Sequence, residues 1–340
     1  MTNQPKNPKA RFWLRIFILL LPINIIVAVY FIKDPLMVLH RYERFDRTNV
    51  LLNEAYVGWQ NYLAHRDSIP YNSYIMGNSS TMAFTTTEWE KYLQPDGCAV
   101  RFFDNGESLG GVSQKLELLD SVGATIKNVL VIANVPLLKD AYPMLENEHL
   151  ISPEAANMGK LEFQMRFLQR FLQPDFSVHY LKYLITKKYQ LSMKGVIAPC
   201  LPIREPYTNN FINPRDREIK RLGERYWVEH KAEFKPRKEA GVVEERSIYS
   251  LQLKLLRNIK RICDKHKATI KFVMSPEYYQ TKTNPEDIRL MKSILGDSAV
   301  WDFTGINEYT SDNHNYYEPG HFRPTLGARI LQQIYQTKQQ

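Results

Sequence analysis

Five short apolar runs, set among stretches of helical periodicity, constrain this chain more than any other feature. They are "SYIMG" (73–77), "CAVRFF" (98–103), "KNVLVIAN" (127–134), "TIKFVMSP" (269–276) and "SAVWDF" (298–303). The helical stretches are "SSTMAFTTTEWEKYL" and "GVSQKLELLDSV" after the first two runs, and "IYSLQLKLLRNIKRICDKH" (248–266) before the fourth. "PEDIRLMKSIL" follows the fourth and "RPTLGARILQQIY" closes the chain. Runs this short that are apolar at most positions read as strands buried on both faces. Their alternation with helices predicts an α/β fold with a five-stranded parallel sheet covered on both sides. In such sheets ligands bind where the strands end at their carboxyl edges, so the strand ends are the places to look for chemistry.

Three segments lie outside this rhythm. Near the N-terminus, Ile16 to Ile32 form an apolar run broken only by Pro22 and Asn24, preceded by Phe12, Trp13 and Leu14. That reaches the roughly 20 residues needed to cross a bilayer core. Lys6, Lys9, Arg11 and Arg15 precede it with no acid among them, which predicts a cytoplasmic N-terminus and an extracytoplasmic remainder. No small-residue cleavage pattern follows in "KDPLMVLHRYERF", so residues 1–33 read as a tail and transmembrane signal anchor, embedded through 12–32. Residues 34–70 read as a connecting segment with one helix. Residues 136–245 read as a helical insertion within a domain spanning 71–335. Its cations Lys182, Lys187, Lys188, Arg215, Arg217, Lys220, Arg221 and Arg225 suit an anionic glycan or lipid headgroups, but the interspersed acids favour a solvated face. Phe163, Phe167, Phe171 and Tyr180 are spaced for packing.

The formal charge of +9 owes four of its cations to the first fifteen residues. No basic stripe interleaved with aromatics on a nucleic-acid module is present, so nucleic acid is not expected as a partner. Cys98, Cys200 and Cys263 form no CxxC pair, no histidine pair has metal-ligand spacing, and "GESLGG" lacks the Gly-Lys-Ser/Thr of a phosphate loop. No metal or cofactor is expected.

Each of the first three strands runs into a distinctive loop. Gly77-Asn78-Ser79-Ser80 gives a tight turn with a serine near a helix start, where free N–H groups favour developing negative charge. "FDNGESLGG" (103–111) offers glycines that let a backbone N–H approach a ligand, and Asn134 ends the third strand. Near the C-terminus, "NYYEPGHFRPTLG" (315–327) sets Glu318 three residues before His321. A carboxylate so placed can accept the imidazole Nδ1 proton and leave Nε2 to take one from a serine.

This ordered set resembles the SGNH, or GDSL-like, hydrolase superfamily. The resemblance rests on Gly77 with Ser79, a glycine loop, Asn134, and Glu318 with His321, over residues 70 to 335 without the insertion. It implies a flavodoxin-like three-layer α/β/α fold. It also implies a catalytic Ser79, His321 and Glu318, and an oxyanion hole from Ser79, Gly110 (with Gly111 or Gly106 as alternatives) and Asn134. The anchor, Asn53-Glu54 and "GHFRPTLGARI" liken it further to the membrane-anchored branch that acylates envelope polymers, as in alginate acetylation and teichoic-acid D-alanylation. What that implies is an extracytoplasmic esterase or O-acyltransferase acting on acyl, expected acetyl, groups of an envelope polysaccharide beside a membrane-bound O-acyltransferase. The alternative is a silent member that binds glycan or scaffolds such a complex. Two positions depart from the superfamily: Glu318 stands where aspartate is usual, and Asn134 is followed by Val-Pro. Ser80 competes with Ser79 and is expected to serve as the helix cap; His314, beside Asp312, competes with His321.

Overall fold

The computed structural model describes residues 8–143, 146–147 and 149–336. In chain order its helices begin with α1 (Pro8–Lys33), α2 (Glu54–His65), α3 (Thr86–Glu90), α4 (Leu109–Ser121), α5 (Val135–Lys139), α6 (Lys160–Leu172) and α7 (Pro174–Thr186). They continue with α8 (Pro214–Leu222), α9 (Arg225–Glu229), α10 (Ser250–His266), α11 (Pro285–Leu295), α12 (Glu308–Ser311) and α13 (Pro324–Gln336). The strands are β1 (Ser73–Gly77), β2 (Ala99–Phe103), β3 (Asn128–Ala133), β4 (Thr269–Met274), β5 (Val300–Asp302), β6 (Tyr316–Glu318) and β7 (His321–Phe322). Two compact units result. The smaller comprises Met1–Arg41, Asn49–Leu52 and Met158–Pro199; the larger comprises Tyr42–Thr48, Asn53–Asn157 and Cys200–Gln340.

The larger unit is built on an all-parallel five-stranded sheet in the order β2-β1-β3-β4-β5. This is the flavodoxin-like order, whose topological switch lies between β1 and β3. Alternation along each strand supplies both covered faces. Tyr74, Met76, Val100, Phe102 and Val131 point to one side, where they meet Trp59 and Tyr62 of α2, Leu116 of α4, Ile259 of α10 and Met291 of α11. Ile75, Leu130, Ile132 and Val273 point to the other, against Trp89 of α3 and Leu326 and Ile330 of α13. The result is three layers, α/β/α. Each fully buried aliphatic or aromatic side chain here contributes about 1.5–3 kcal/mol relative to exposure.

Three expectations are revised. Residues 34–70 contain more than a connector, because α2 lies in the core and its Asn53 cap is fixed, Oδ1 accepting the Tyr56 N–H at 2.9 Å. The 136–245 stretch is divided: Met158–Pro199 belongs with α1, and Cys200 onward with the sheet. The helix expected over 79–93 is broken into a 3-10 turn, Ser79–Ala83, and α3. Phe84 adopts extended backbone between them, and the Thr85 side chain caps α3 by accepting the Glu88 N–H. Cys98, Cys200 and Cys263 are free thiols.

In the smaller unit, α1 is the one helix among the described residues long and apolar enough to cross a membrane. Its 26 residues span roughly 39 Å at the helical rise of about 1.5 Å per residue, enough for a hydrocarbon core of about 30 Å. Its last turn is packed. Tyr30 is buried, its ring 5.3 Å from that of Phe171 on α6, and Phe171 in turn meets Phe176 and Tyr180 of α7. Just beyond, the Asp34 carboxylate accepts the Val38 and Leu39 N–H groups at 3.0 and 2.8 Å.

Candidate active site

The site begins with a steric demand at the end of β1. Gly77 has φ +135°, and a Cβ there would lie 2.0 Å from the Ile132 carbonyl oxygen of β3. Only glycine lets β1 turn while staying paired to its neighbour. Asn78 then organises the turn: its Oδ1 accepts the Ser80 N–H at 2.9 Å, and its Nδ2 donates to Asn134 Oδ1 at 2.8 Å, across the switch between β1 and β3. Asn78 is therefore the cap, not Ser80. Asparagine caps as well as serine does, and its longer side chain reaches both partners. Ser79 opens the 3-10 turn at the carboxyl edge of the sheet.

The partner arrives on a tight hairpin. β6 and β7 pair antiparallel with Glu318 opposite His321 and only Pro319 and Gly320 between them. Glu318 Oε1 accepts from His321 Nδ1 at 2.5 Å, and Oε2 accepts the Gly320 N–H at 2.6 Å. His321 Nε2 lies 3.0 Å from Ser79 Oγ. Burial pushes the Glu318 pKa up, but the hydrogen bonds from His321 and Gly320 and the charges of His321 and Arg215 hold it below the ordinary glutamate value. An ionised carboxylate only accepts, so Nδ1 carries the proton, and an Nε2 without one can accept from the serine hydroxyl.

Two braces fix this hairpin. On one side, α13 lies directly on the serine turn: a Cβ at Gly327 would come within 1.9 Å of the Ala83 carbonyl oxygen. Phe322 meets Phe84 edge to face, with ring centroids 6.0 Å apart. On the other, α8 and α9 grip the β6 backbone. Arg215 Nη1 and the Tyr226 hydroxyl both donate to the Tyr317 carbonyl, at 3.0 and 2.7 Å, and Trp227 Nε1 donates to the Tyr316 carbonyl at 3.0 Å. Arg215 is held in turn by Glu233 at 2.8 Å. Part of the charged stretch that the sequence suggested as a solvated face thus steadies the strand bearing Glu318.

Asn134 caps α5, its Oδ1 taking the Leu137 N–H at 3.2 Å as well as the Asn78 amide. With Oδ1 committed to two donors, the amide orientation is set and Nδ2 is the group left to donate. Just beyond β4 lies Glu277, whose Oε2 accepts from the Thr281 hydroxyl at 3.1 Å and whose pKa burial pushes up. The sequence reasoning missed Glu277, although a carboxylate two residues beyond Ser275 at the end of β4 was a visible signal. Gly110 is placed differently from Gly106. It sits buried in the first turn of α4, where a Cβ would fall 2.4 Å from the Ala141 carbonyl oxygen, whereas Gly106 (φ +73°) occupies the turn at the end of β2. Gly111 leaves room for Glu107, which folds back into a buried ion pair with Lys115.

His314 and Asn53-Glu54 have partners other than the serine. His314 is exposed, bonded to Asp312 at 2.7 Å and Glu224 at 2.9 Å. Asn53 donates to the carbonyls of Asn147 and Leu150, and Glu54 makes a buried two-pronged pair with Arg204 at 2.8 Å, so Asn53-Glu54 is structural. A further carboxylate and imidazole, Asp104 and His149, pair at 2.8 Å beyond β2. No sequence motif marked them, because His149 lies 45 residues away in a loop. In comparisons with known proteins, no family model, curated protein or solved structure matches the chain.

Proposed function

We propose that this protein is a membrane-anchored, extracytoplasmic serine esterase or O-acyltransferase of the SGNH type, acting on acyl groups of an envelope polysaccharide. The observation that carries this reading is the continuous hydrogen-bonded path from Ser79 Oγ through His321 to Glu318 at the carboxyl edge of the sheet. As Ser79 Oγ bonds to the acyl carbon, His321 Nε2 takes its proton, and Glu318 stabilises the imidazolium. The oxyanion is met by the Ser79 N–H, the Asn134 amide and a backbone N–H of the 104–111 loop, from Gly110 or Gly106. Each such donor contributes about 3 kcal/mol to lowering the barrier. Collapse breaks the bond to the leaving alcohol, which receives the proton from His321. Water or a sugar hydroxyl then attacks the Ser79 ester with His321 again as base.

The glutamate standing for aspartate is accommodated by the hairpin, whose two-residue loop brings the longer side chain to His321 while Gly320 holds its second oxygen. Retention of α1 as an anchor is favoured by Tyr30, whose place among Phe171 and its neighbours would be emptied by cleavage. A membrane-bound O-acyltransferase as neighbour rests on the family likeness. The test uses full-length protein in detergent with acetyl esters, measuring acetate release and transfer to added oligosaccharide. Turnover lost in Ser79→Ala is the expected result. Equal rates for parent and Ser79→Ala would refute the reading, and no turnover by the parent would favour the silent scaffold.

A further inference from the structure

Helices α6 and α7 each carry a second apolar stripe that packs against nothing in their own unit. On α6 the aromatic face is Phe163, Phe167 and Phe171, all buried. Leu161, Met165 and Leu172 recur at helical spacing on a different face and are exposed, Leu161 by 77%. α7 repeats the arrangement: Phe176 and Tyr180 are buried, while Val178 and Ile185, spaced by seven, are exposed, Ile185 by 82%. A helix with one apolar face needs one partner; these present two, and only the aromatic one is covered.

Two features of the smaller unit say what covers the other. The hairpin is joined to the end of α1, since Tyr30 packs on Phe171 while its neighbours Phe31 and Ile32 stay exposed. With α1 crossing a bilayer, α6 is held beside the point where the chain leaves the hydrocarbon. Charge agrees. Glu162 and Asp175 are paired to Arg166 and Arg170, whereas Lys182, Lys187 and Lys188 stand exposed at the end of α7 with no acid paired to them among the described residues. An aliphatic stripe beside a lysine cluster suits the boundary between acyl chains and anionic headgroups, where long lysine stems carry their charge outward.

We infer that the α6–α7 hairpin is a second membrane contact, lying on an anionic phospholipid surface at the carboxyl end of α1. This rests on the anchor reading above. It would keep the smaller unit pressed to the bilayer instead of leaving it on a free tether.

The test places the full-length protein in nanodiscs of phosphatidylcholine and phosphatidylglycerol with brominated acyl chains, which quench nearby tryptophan. The emission added by Leu161→Trp or Ile185→Trp is read as variant minus parent. The anchor is read separately from the emission lost between the parent and Trp13→Phe. The inference expects most of the added emission to be quenched and blue-shifted, with clear loss of quenching when Lys182, Lys187 and Lys188 are changed to glutamine or phosphatidylglycerol is left out. Unquenched, red-emitting tryptophan at both sites beside a quenched Trp13 would overturn the inference and leave the anchor standing; a stripe that serves a protein partner absent from the nanodisc gives that result. If Trp13 is itself unquenched, the anchor reading fails and the inference falls with it.

Discussion

Two carboxylate–imidazole pairs lie within ten residues of each other near the C-terminus, and they differ in what the second ring nitrogen meets. In Glu318–His321 it meets the Ser79 hydroxyl at 3.0 Å; in Asp312–His314 it meets Glu224 at 2.9 Å. Both pairs have a well-made carboxylate contact, so that contact does not define a catalytic base. The difference lies in the scaffolding. The first pair sits on a hairpin clamped by Arg215, Tyr226 and Trp227 and seated against the serine turn through Phe322 and Gly327, whereas the second lies on the surface. A histidine held between two carboxylates faces no hydroxyl from which to take a proton.

The sharpest break in the comparison comes from deleting the imidazoles. His321→Ala should lower kcat by about ten-thousandfold or more, as removal of a triad member does; His314→Ala should leave it unchanged in the same acetyl-ester assay. Next are the carboxylates. Glu318→Gln keeps the shape but no longer fixes Nδ1 as donor, and a loss of up to about ten-thousandfold in kcat is expected, while Asp312→Asn should have no effect. If both pairs responded alike, the distinction drawn between them would be wrong.

The clamp should give a smaller effect. Arg215→Ala removes a hydrogen bond to the Tyr317 carbonyl without touching the reacting atoms, so kcat should fall about tenfold to a hundredfold with KM nearly unchanged. Arg215→Lys should restore part of it. A rise in KM with constant kcat would instead place Arg215 in substrate binding.

The smallest effects concern pH and stability. Glu318 has a lowered folded pKa, so its contribution is present above the ordinary glutamate range and lost as pH falls through that range to the folded value. Parent and Glu318→Gln should therefore converge in Tm on acidification. Glu277 has the opposite sign. Its folded pKa is raised, so its ionised form disfavours the fold above the ordinary range, and Glu277→Gln should raise Tm at neutral pH with the gain fading below it. Equal Tm differences at all pH values would contradict both assignments.

The same contrast explains what could be read from the sequence. β1 to β5 were legible because runs such as "NVLVIA" are short, rich in β-branched residues and apolar on both faces, as a covered parallel strand requires. Ser79, His321 and Glu318 were legible because strand-end position and three-residue spacing are local properties, and the structure brings those three residues together. What escaped depends on distant packing. Arg215 looked like one charge in a solvated run, yet its partner carbonyl on Tyr317 is 102 residues away. The role of Asn78 depends on Asn134, which only the crossover between β1 and β3 brings within reach. Residues 158–199 could not be assigned to α1 from pattern alone, since the Phe171 that meets Tyr30 reads equally well as core of any helical insertion.

Covalent capture identifies the nucleophile most directly. Full-length protein would be treated with a fluorophosphonate and the modified residue located by peptide mass spectrometry. A single adduct on Ser79 is expected, present in the parent and in His314→Ala and absent in His321→Ala. An adduct on Ser80 or elsewhere, or undiminished labelling of Ser79 without His321, would contradict that assignment.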